Sequence, residues 1–351
     1  MHARIPVAVL GATGSVGQRF VQLLADHPWF ELVGVTGSDR KVGLPYGAAC
    51  RWVLPEPVPA SCSEIEIQPS DPEAMDVKIA FSALPGQIAR EIEPRFAEAG
   101  VAVCSNASAF RQAPDVPILL PEVNPSQAGL IEVQCRERGW RGFIVTNSNC
   151  TSTGIAVVFH ALKQAFGLRR AHVVSMQALS GAGYPGVPSL DIIDNVIPYI
   201  EGEEEKVETE PRKILGTLLG GRIQPAELTI SAQTHRVAVT DGHLVAASVE
   251  LDRSVSPQEA VQALAGYTAP EISRSLPSAP EPVIIVREEP DRPQPRLDRM
   301  TGRGMATVVG RVRQDSIFDL KFVILSHNTI RGAAGGSIYN AELLVQKGYI
   351  A

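Results

Sequence analysis

A chain of 351 residues is long enough for two domains whose cores need no covalent staples. A formal net charge of −6 leaves no basic field for nucleic acid, and no apolar run approaches the ~20 residues that span a bilayer. Cysteines at 50, 62, 104, 135 and 150 are odd in number and lack CxxC or Cys/His spacing. They fit reactive or buried thiols in a reducing cytosol, and neither a disulfide framework nor a metal site.

The start, Met1 to Ile5, runs into a strand without the apolar stretch of a signal peptide. Residues 5–10 read as a buried strand and are followed by Gly11-Ala12-Thr13-Gly14-Ser15-Val16-Gly17. Val16, Phe20, Val21 and Leu24 then mark the apolar face of a helix, and residues 31–35 form a second strand. This is a βαβ unit with glycines where the turn is tight and the backbone must approach a pyrophosphate. The spacing is GxxGxxG, a departure from the commoner GxGxxG. The second strand ends in Thr36-Gly37-Ser38-Asp39-Arg40, where an acidic residue would select NAD. Ser38 and Arg40 can instead hold a 2′-phosphate, which points to NADP.

Residues 41–76 read as loop with short strands. A strand over 77–81 leads into Ser82, a helix covers 87–99, and a strand covers 101–104. Ser105-Asn106-Ala107-Ser108-Ala109-Phe110-Arg111 follows at its carboxyl end, and Pro121 to Asn124 makes another turn on that side. The βα alternation predicts an α/β domain of Rossmann type, with a mostly parallel sheet, over residues 1–148.

Residues 142–145 form a strand that breaks into Thr146-Asn147-Ser148-Asn149-Cys150-Thr151, before a helix with Ile155, Val157, Val158, Ala161 and Leu162 as its apolar positions. A cysteine near the first turn meets free backbone N–H groups and the positive end of the helix dipole. Both are expected to lower the thiol pKa and to supply donors for an oxyanion. A small core cysteine beside an Asn N-cap is the plainer alternative from these residues alone.

Beyond residue 154 the texture changes to α+β. Strands are expected over 171–178, 228–232, 244–251, 283–286, 306–312 and 318–325, with a surface helix over 256–266. A short helical pattern covers 189–199, an acidic helix runs from 201 to 219, and Ser326 to Gly335 opens a last helix ending at 346. Residues 149–327 read as a catalytic and dimerisation domain, and 328–351 as a helix returning to the cofactor domain.

Taken in order, these motifs resemble aspartate-semialdehyde dehydrogenases, most closely their archaeal- and fungal-like branch. The carriers are residues 11–17, Ser105-Asn106-Ala107-Ser108, Ser148-Asn149-Cys150-Thr151, 177–183, 203–206, 236–243 and 328–335. N-acetyl-glutamyl-phosphate reductases share the architecture, but their cysteine lies in a Pro-Gly-Cys context absent here. The resemblance implies NADPH-dependent reduction of L-aspartyl 4-phosphate to aspartate semialdehyde, within lysine, threonine and methionine synthesis. A thiolate suits such a reaction independently, because the thioester it forms is still open to hydride.

The resemblance makes Cys150 the nucleophile, His243 the acid/base and Gln177 the residue that orients the acyl group. His235 is a local rival on the wrong side of Arg236 for the motif. Arg236 is expected to fork onto the α-carboxylate, Glu203 to hold the α-ammonium, and Lys206 and Arg111 the phosphate, with Asn149 beside the substrate. Lys206 and Lys213-Ile214-Leu215 set the register among three adjacent glutamates. The cofactor is expected on Gly11, Thr13, Gly14, Ser15 and Val16, on Ser38 and Arg40, and on Ser82, Ser180, Gly181 and Asn328. Asn328 has a simple helix cap as its alternative.

Malonyl-CoA reductases of some archaea share this scaffold and thioester chemistry, but their substrate has no α-ammonium for Glu203 to bind. A non-catalytic paralogue would be expected to lose Cys150 or His243, and neither is lost. The strands of the second domain carry few aromatic residues to close a core alone. The resemblance implies that its sheet packs on a second subunit, as a dimer or a dimer of dimers.

Overall fold

The protein is described by a computed structural model covering residues 4–351; Met1 to Ala3, part of the expected approach to the first strand, lie outside the described residues. The first sheet contains β1 (Ile5–Leu10), β2 (Phe30–Thr36), β3 (Ile67–Gln68), β4 (Ile79–Ser82), β5 (Ala102–Ser105) and β6 (Phe143–Thr146). Its order is β3-β2-β1-β4-β5-β6, with every pairing parallel. β4, β5 and β6 are buried at every residue. Strands covered on both faces have no solvent side to mark with polar residues, so they read as unbroken apolar runs.

The helix Ser15–Leu24 crosses from β1 to β2 and buries Phe20, Val21 and Leu24. The strand order reverses between β1 and β4, and the crevice at that switch point is where such sheets bind a dinucleotide. A helix over Leu130–Arg138 before β6 has no counterpart in the sequence reading. Its hydrophobic periodicity is weak, because Glu132, Arg136, Glu137 and Arg138 crowd a nine-residue segment.

The second domain begins with β7 (Arg170–Gln177), continues through a separate hairpin of β8 (Thr217–Leu219) and β9 (Arg222–Gln224), and adds β10 (Thr229–Arg236) and β11 (His243–Glu250). It finishes with β12 (Ile284–Arg287), β13 (Thr307–Gln314) and β14 (Leu320–Ser326). The large sheet is mixed, in the order β10-β7-β11-β14-β13-β12. Burial alternates along β7, β10 and β11. Ala171, Val173, Ile230, Ala232, Val245, Ala247 and Val249 share a core with the helix Cys150–Phe166. The opposite face, with Val174, Met176, Leu244 and Ala246, is only half-buried.

That period of two places the site. Gln177, Arg236 and His243 sit at strand ends in phase with the buried set, so all three point toward the Cys150 helix. Arg236 lies directly beside Gln177 across the β10–β7 pair. His235 is one residue out of phase, half-buried, and so leans to the other face.

Three expected boundaries change. The acidic helix ends at Ile214, and 217–219 is the strand β8. Lys213 and Gly216 explain this: the ammonium leaves the helix surface to bind a loop, and Gly216 packs where a Cβ would collide with the Gln224 carbonyl. The pattern over 189–199 yields only the turn Ser189–Ile192, because its apolar residues Leu190, Ile193, Val196 and Tyr199 are exposed and bury no helix face. The last helix starts at Gly335, after a π-type turn over Ile330–Ala334. That turn is anchored by a fully buried ion pair between Arg331 and Glu122. The final helix, Gly335–Gln346, places Ile338, Ala341 and Leu344 in the first domain's core.

Candidate active site

Cys150 is the first residue of its helix, directly after the junction from β6. Asn149 caps that helix: its Oδ1 accepts from the N–H groups of Thr151 and Ser152 at 2.9 and 3.1 Å. Such a cap contributes about 1 kcal/mol. Its Nδ2 donates to Glu203 Oε1 at 2.9 Å, so both ends of the amide expected beside the substrate are occupied.

The sulfur lies 3.2 Å from His243 Nε2. His243 Nδ1 accepts from the Ala178 N–H at 3.1 Å, so the neutral ring carries its hydrogen on Nε2, aimed at sulfur. Burial, followed by the charges of Arg236 and His327, pulls the imidazole down to about 3. Burial pushes the Cys150 thiol up to about 12, and the Glu203 carboxylate adds to it. Arg111, Arg236 and the Thr151 N–H oppose both without overcoming them. The expected lowering of the thiol pKa is therefore overturned. The helix terminus is present, but its amides are partly spent on Asn149, and desolvation in the pocket outweighs what remains. Without substrate the pair is a neutral thiol facing a neutral imidazole.

Glu203 is the hub on the other side. Its Oε1 accepts from Asn149 and from Gln177 Nε2 at 3.0 Å, and its Oε2 lies 3.5 Å from Lys206 Nζ, one helical turn on. Arg236 Nη1 donates to the Ala178 carbonyl at 2.8 Å, which leaves the rest of its fork available. Gly181 closes over both strand-borne groups: a Cβ there would lie 2.8 Å from Arg236 Nη1 and 3.0 Å from the His243 ring. Arg111 reaches in from the first domain. Its Nε donates to the Asn147 carbonyl at 2.9 Å, its Nη2 to the Asn106 carbonyl at 2.7 Å, and its Nη1 to Glu210 at 3.1 Å.

Glu210 and Lys213 are neighbours of the site to which the sequence assigns no role: Lys213 sets only the register, and the signal at Glu210 is the helix spacing it shares with Glu203 and Lys206. Gly332 was also missed. It lies against Cys150 so closely that a Cβ would sit 2.8 Å from the cysteine Cβ.

The residues expected to hold a dinucleotide gather at the carboxyl end of the first sheet. The helix Ser15–Leu24 opens on Gly14 without a side-chain cap, so its first amides are available to an anion. Gly17 packs where a Cβ would collide with the Gly11 carbonyl, whereas at Gly14 a Cβ would meet only that carbonyl, at 3.6 Å. The turn is thus tight behind and open in front, as a pyrophosphate requires. Ser82 ends β4 with a buried hydroxyl that has no hydrogen-bond partner among the described residues. Ser38 and Arg40 are exposed beyond β2. A cleft of about 260 Å³ runs between Ser15 and Arg19 on one side and Ser180 and Tyr184 on the other. Asn328 is held on both sides, donating to Ser180 Oγ and accepting from the Gly242 N–H at 2.8 Å each, and so braces the His243 loop. These features fit a bound nicotinamide dinucleotide.

Comparison with known proteins agrees with this geometry. Residues 6–131 match the family described as "Semialdehyde dehydrogenase, NAD binding domain", and residues 159–331 match "Semialdehyde dehydrogenase, dimerisation domain". An aspartate-semialdehyde dehydrogenase of Archaeoglobus fulgidus is 56% identical over 98% of this chain and 99% of its own. A crystal structure of the Candida albicans aspartate-semialdehyde dehydrogenase with NADP superimposes with a TM-score of 0.91 at 40% identity, covering 99% of this chain and 100% of that one. A malonyl-CoA reductase (NADP) of Metallosphaera sedula is less similar, 41% identical over 100% of this chain and 99% of its own. With a cysteine at a capped helix start, a facing histidine and a Rossmann-type crevice in one molecule, and with this degree of identity over its whole length, the chain belongs to the aspartate-semialdehyde dehydrogenase family.

Proposed function

We propose that this protein is an NADP-dependent oxidoreductase that converts L-aspartyl 4-phosphate to L-aspartate 4-semialdehyde and phosphate, a step toward lysine, threonine and methionine. The observation that carries this reading is the Cys150 sulfur 3.2 Å from His243 Nε2, in a pocket bordered by Glu203 and Arg236. An acyl phosphate needs a nucleophile whose acyl adduct is still electrophilic, and a thioester is such an adduct.

In this reading the substrate's α-ammonium pairs with Glu203 and its α-carboxylate with the free edge of Arg236, while Arg111 and Lys206 hold the phosphate. Engaging Glu203 removes one of the charges that keep the thiol protonated. For Nε2 to take the thiol proton, the ring must first pass its own hydrogen from Nε2 to Nδ1 through solvent and release the Ala178 amide, because Nδ1–H would be turned against that N–H. The thiolate attacks the acyl carbon, the C–O bond to phosphate breaks, and phosphate leaves toward Arg111. NADPH, held by residues 11–16, Ser38, Arg40, Ser82, Ser180, Gly181 and the segment braced by Asn328, supplies the hydride. Nε2–H then protonates the oxygen of the tetrahedral adduct and takes the proton back as the C–S bond breaks. Gln177 orients the acyl group beside the thiol.

Glu203, Lys206 and Arg236 favour aspartyl phosphate over a CoA thioester, which has no ammonium to pair with a carboxylate. Turnover measured with aspartate semialdehyde plus phosphate, and with malonyl-CoA, each with NADP(H) and NAD(H), tests both readings. Preference for malonyl-CoA would overturn the assignment. Residues 1–148, 149–327 and 328–351 serve as cofactor domain, catalytic domain and returning helix. The half-buried sheet face around Val174, Met176, Leu244 and Ala246 is the surface on which a second subunit packs, giving a dimer or a dimer of dimers with more than the ~1,600 Å² of a standard interface. Five free cysteines suit a cytoplasmic setting.

A further inference from the structure

The helix Glu203–Ile214 carries charges at 203, 206, 210 and 213, a spacing of 3, 4 and 3 that puts all four on one stripe. The first pair faces the sulfur pocket. Glu210 and Lys213 are buried as well, with 1% and 8% exposure, and the reaction described above uses neither. Buried charges persist only where they are fully partnered, so their partners show what they do.

Glu210 divides its carboxylate between two distant parts of the chain. Oε1 accepts from Arg111 Nη1 at 3.1 Å, and Oε2 accepts from the Asn149 N–H, the amide immediately before the nucleophile, at 2.6 Å. Lys213 spends its three hydrogens on one loop, donating to the carbonyls of Arg111, Ala113 and Val116 at 2.6, 2.8 and 2.8 Å. With Nε on Asn147 and Nη2 on Asn106, Arg111 has three of its five N–H groups fixed by the protein. Two are left to meet an anion.

We infer that Glu210 and Lys213 are positioning residues that set the phosphate-binding arginine at a defined place relative to the nucleophile. One carboxylate ties the Arg111 guanidinium and the Asn149 amide into a single unit, and Lys213 holds the loop that presents Arg111. This rests on the reading of Arg111 as a phosphate ligand. The geometry demands a carboxylate, because both groups it meets are donors. Glutamine of the same shape must turn its NH2 against one of them. The arginine then loses its orientation, while the cofactor cleft, built from other elements, is untouched.

The test runs the reaction from aspartate semialdehyde with phosphate as the varied substrate, in wild type, Arg111→Ala, Glu210→Gln and the double variant. Phosphate KM should rise about tenfold or more in Arg111→Ala and about tenfold in Glu210→Gln, the scale of one lost charge-assisted hydrogen bond. In Glu210→Gln, NADP affinity and the KM for semialdehyde should stay within about twofold. The double variant should be no worse than Arg111→Ala alone, because Glu210 acts through the arginine. A merely structural role would move all three constants together. An unchanged phosphate KM in Arg111→Ala would sink the phosphate reading itself, and this inference with it. A raised KM in Arg111→Ala beside an unchanged one in Glu210→Gln would overturn the inference alone. If the glutamine variant does not fold, Glu210→Asp, which keeps the charge but withdraws it by one methylene, takes its place in the same comparison. Failure of both to fold would mark the residue as structural and also overturn the inference.

Discussion

Two strand-to-helix junctions in this molecule begin alike and end differently. After β1 the helix Ser15–Leu24 opens on Gly14 with no side-chain cap, and its first amides face an open crevice. After β6 the helix Cys150–Phe166 opens on Asn149, whose side chain takes two amides, while Glu210 takes the N–H of Asn149 itself. The same macrodipole is offered at both. At the first it is left for a ligand's phosphates. At the second it is largely consumed within the protein, and the half-buried thiol there has its pKa raised. A helix N-terminus therefore says where an anion can be stabilised. What fills the first turn decides whether the chain keeps that capacity for a ligand.

The largest effect expected from breaking this contrast is at sulfur. Cys150→Ser should lower turnover by at least about three orders of magnitude, because an alkoxide is much harder to form than a thiolate. NADP titration and thermal unfolding should change little, since the other junction is intact. Labelling of the wild type by iodoacetamide should fall on Cys150 and be blocked by substrate. Substrate-protected labelling of Cys135 instead would defeat the assignment.

His243→Ala should reduce kcat by about two to four orders of magnitude, the range for a positioned acid/base, and His235→Ala should change it little. The reverse ranking would mean that the wrong strand face carries the chemistry. Alkylation kinetics sharpen the same point. With the substrate-free thiol near 12, its rate should keep climbing by about tenfold per pH unit from 7 to 10. A plateau near neutrality would show a thiolate already formed.

At the cofactor junction, Arg40→Ala should weaken NADP binding by about tenfold, a charge-assisted contact's worth at an exposed site, and leave NAD almost unchanged. Equal loss for both dinucleotides would make Arg40 structural. The smallest effects compare the caps themselves. Asn149→Ala should cost about 1 kcal/mol of stability, read as a lowered midpoint in denaturant. Gly14→Ala, with φ at −79° and space for a Cβ, should leave that midpoint nearly unmoved and raise the KM for the dinucleotide.

Much of this architecture is legible in the chain because it rests on short-range pattern. The parallel strands stand out as apolar runs between glycine and serine turns. At Arg236 and His235 the sequence supplies only the motif, because the strand expected there stops at 232; the register of β10 separates the buried arginine from its half-buried neighbour. The helix at Leu130–Arg138 escapes the same reading, since four charged residues over nine positions blur its period and only packing onto β6 selects it. The fragment over 189–199 fails the opposite way: its apolar residues suggest a buried face, yet Leu190, Ile193, Val196 and Tyr199 are exposed.

The motif carries roles for Glu203 and Lys206, whereas on the same stripe Lys213 serves only to set the register and Glu210 has no role in the sequence. Their importance lies in partners 99, 61 and 102 residues away. The proton state of Cys150 belongs to the same class. Alone, the sequence determined that strands alternate with helices in the first domain and which residue types stand in the turns between them, because each depends on neighbours within a few positions. Only the tertiary structure decided that the thiol is raised, that His243 presents Nε2–H, and that one carboxylate joins Arg111 to the nucleophile. Those properties are sums of burial and charge over groups brought together by folding, 93 residues apart in the case of sulfur and imidazole, and no local pattern records them.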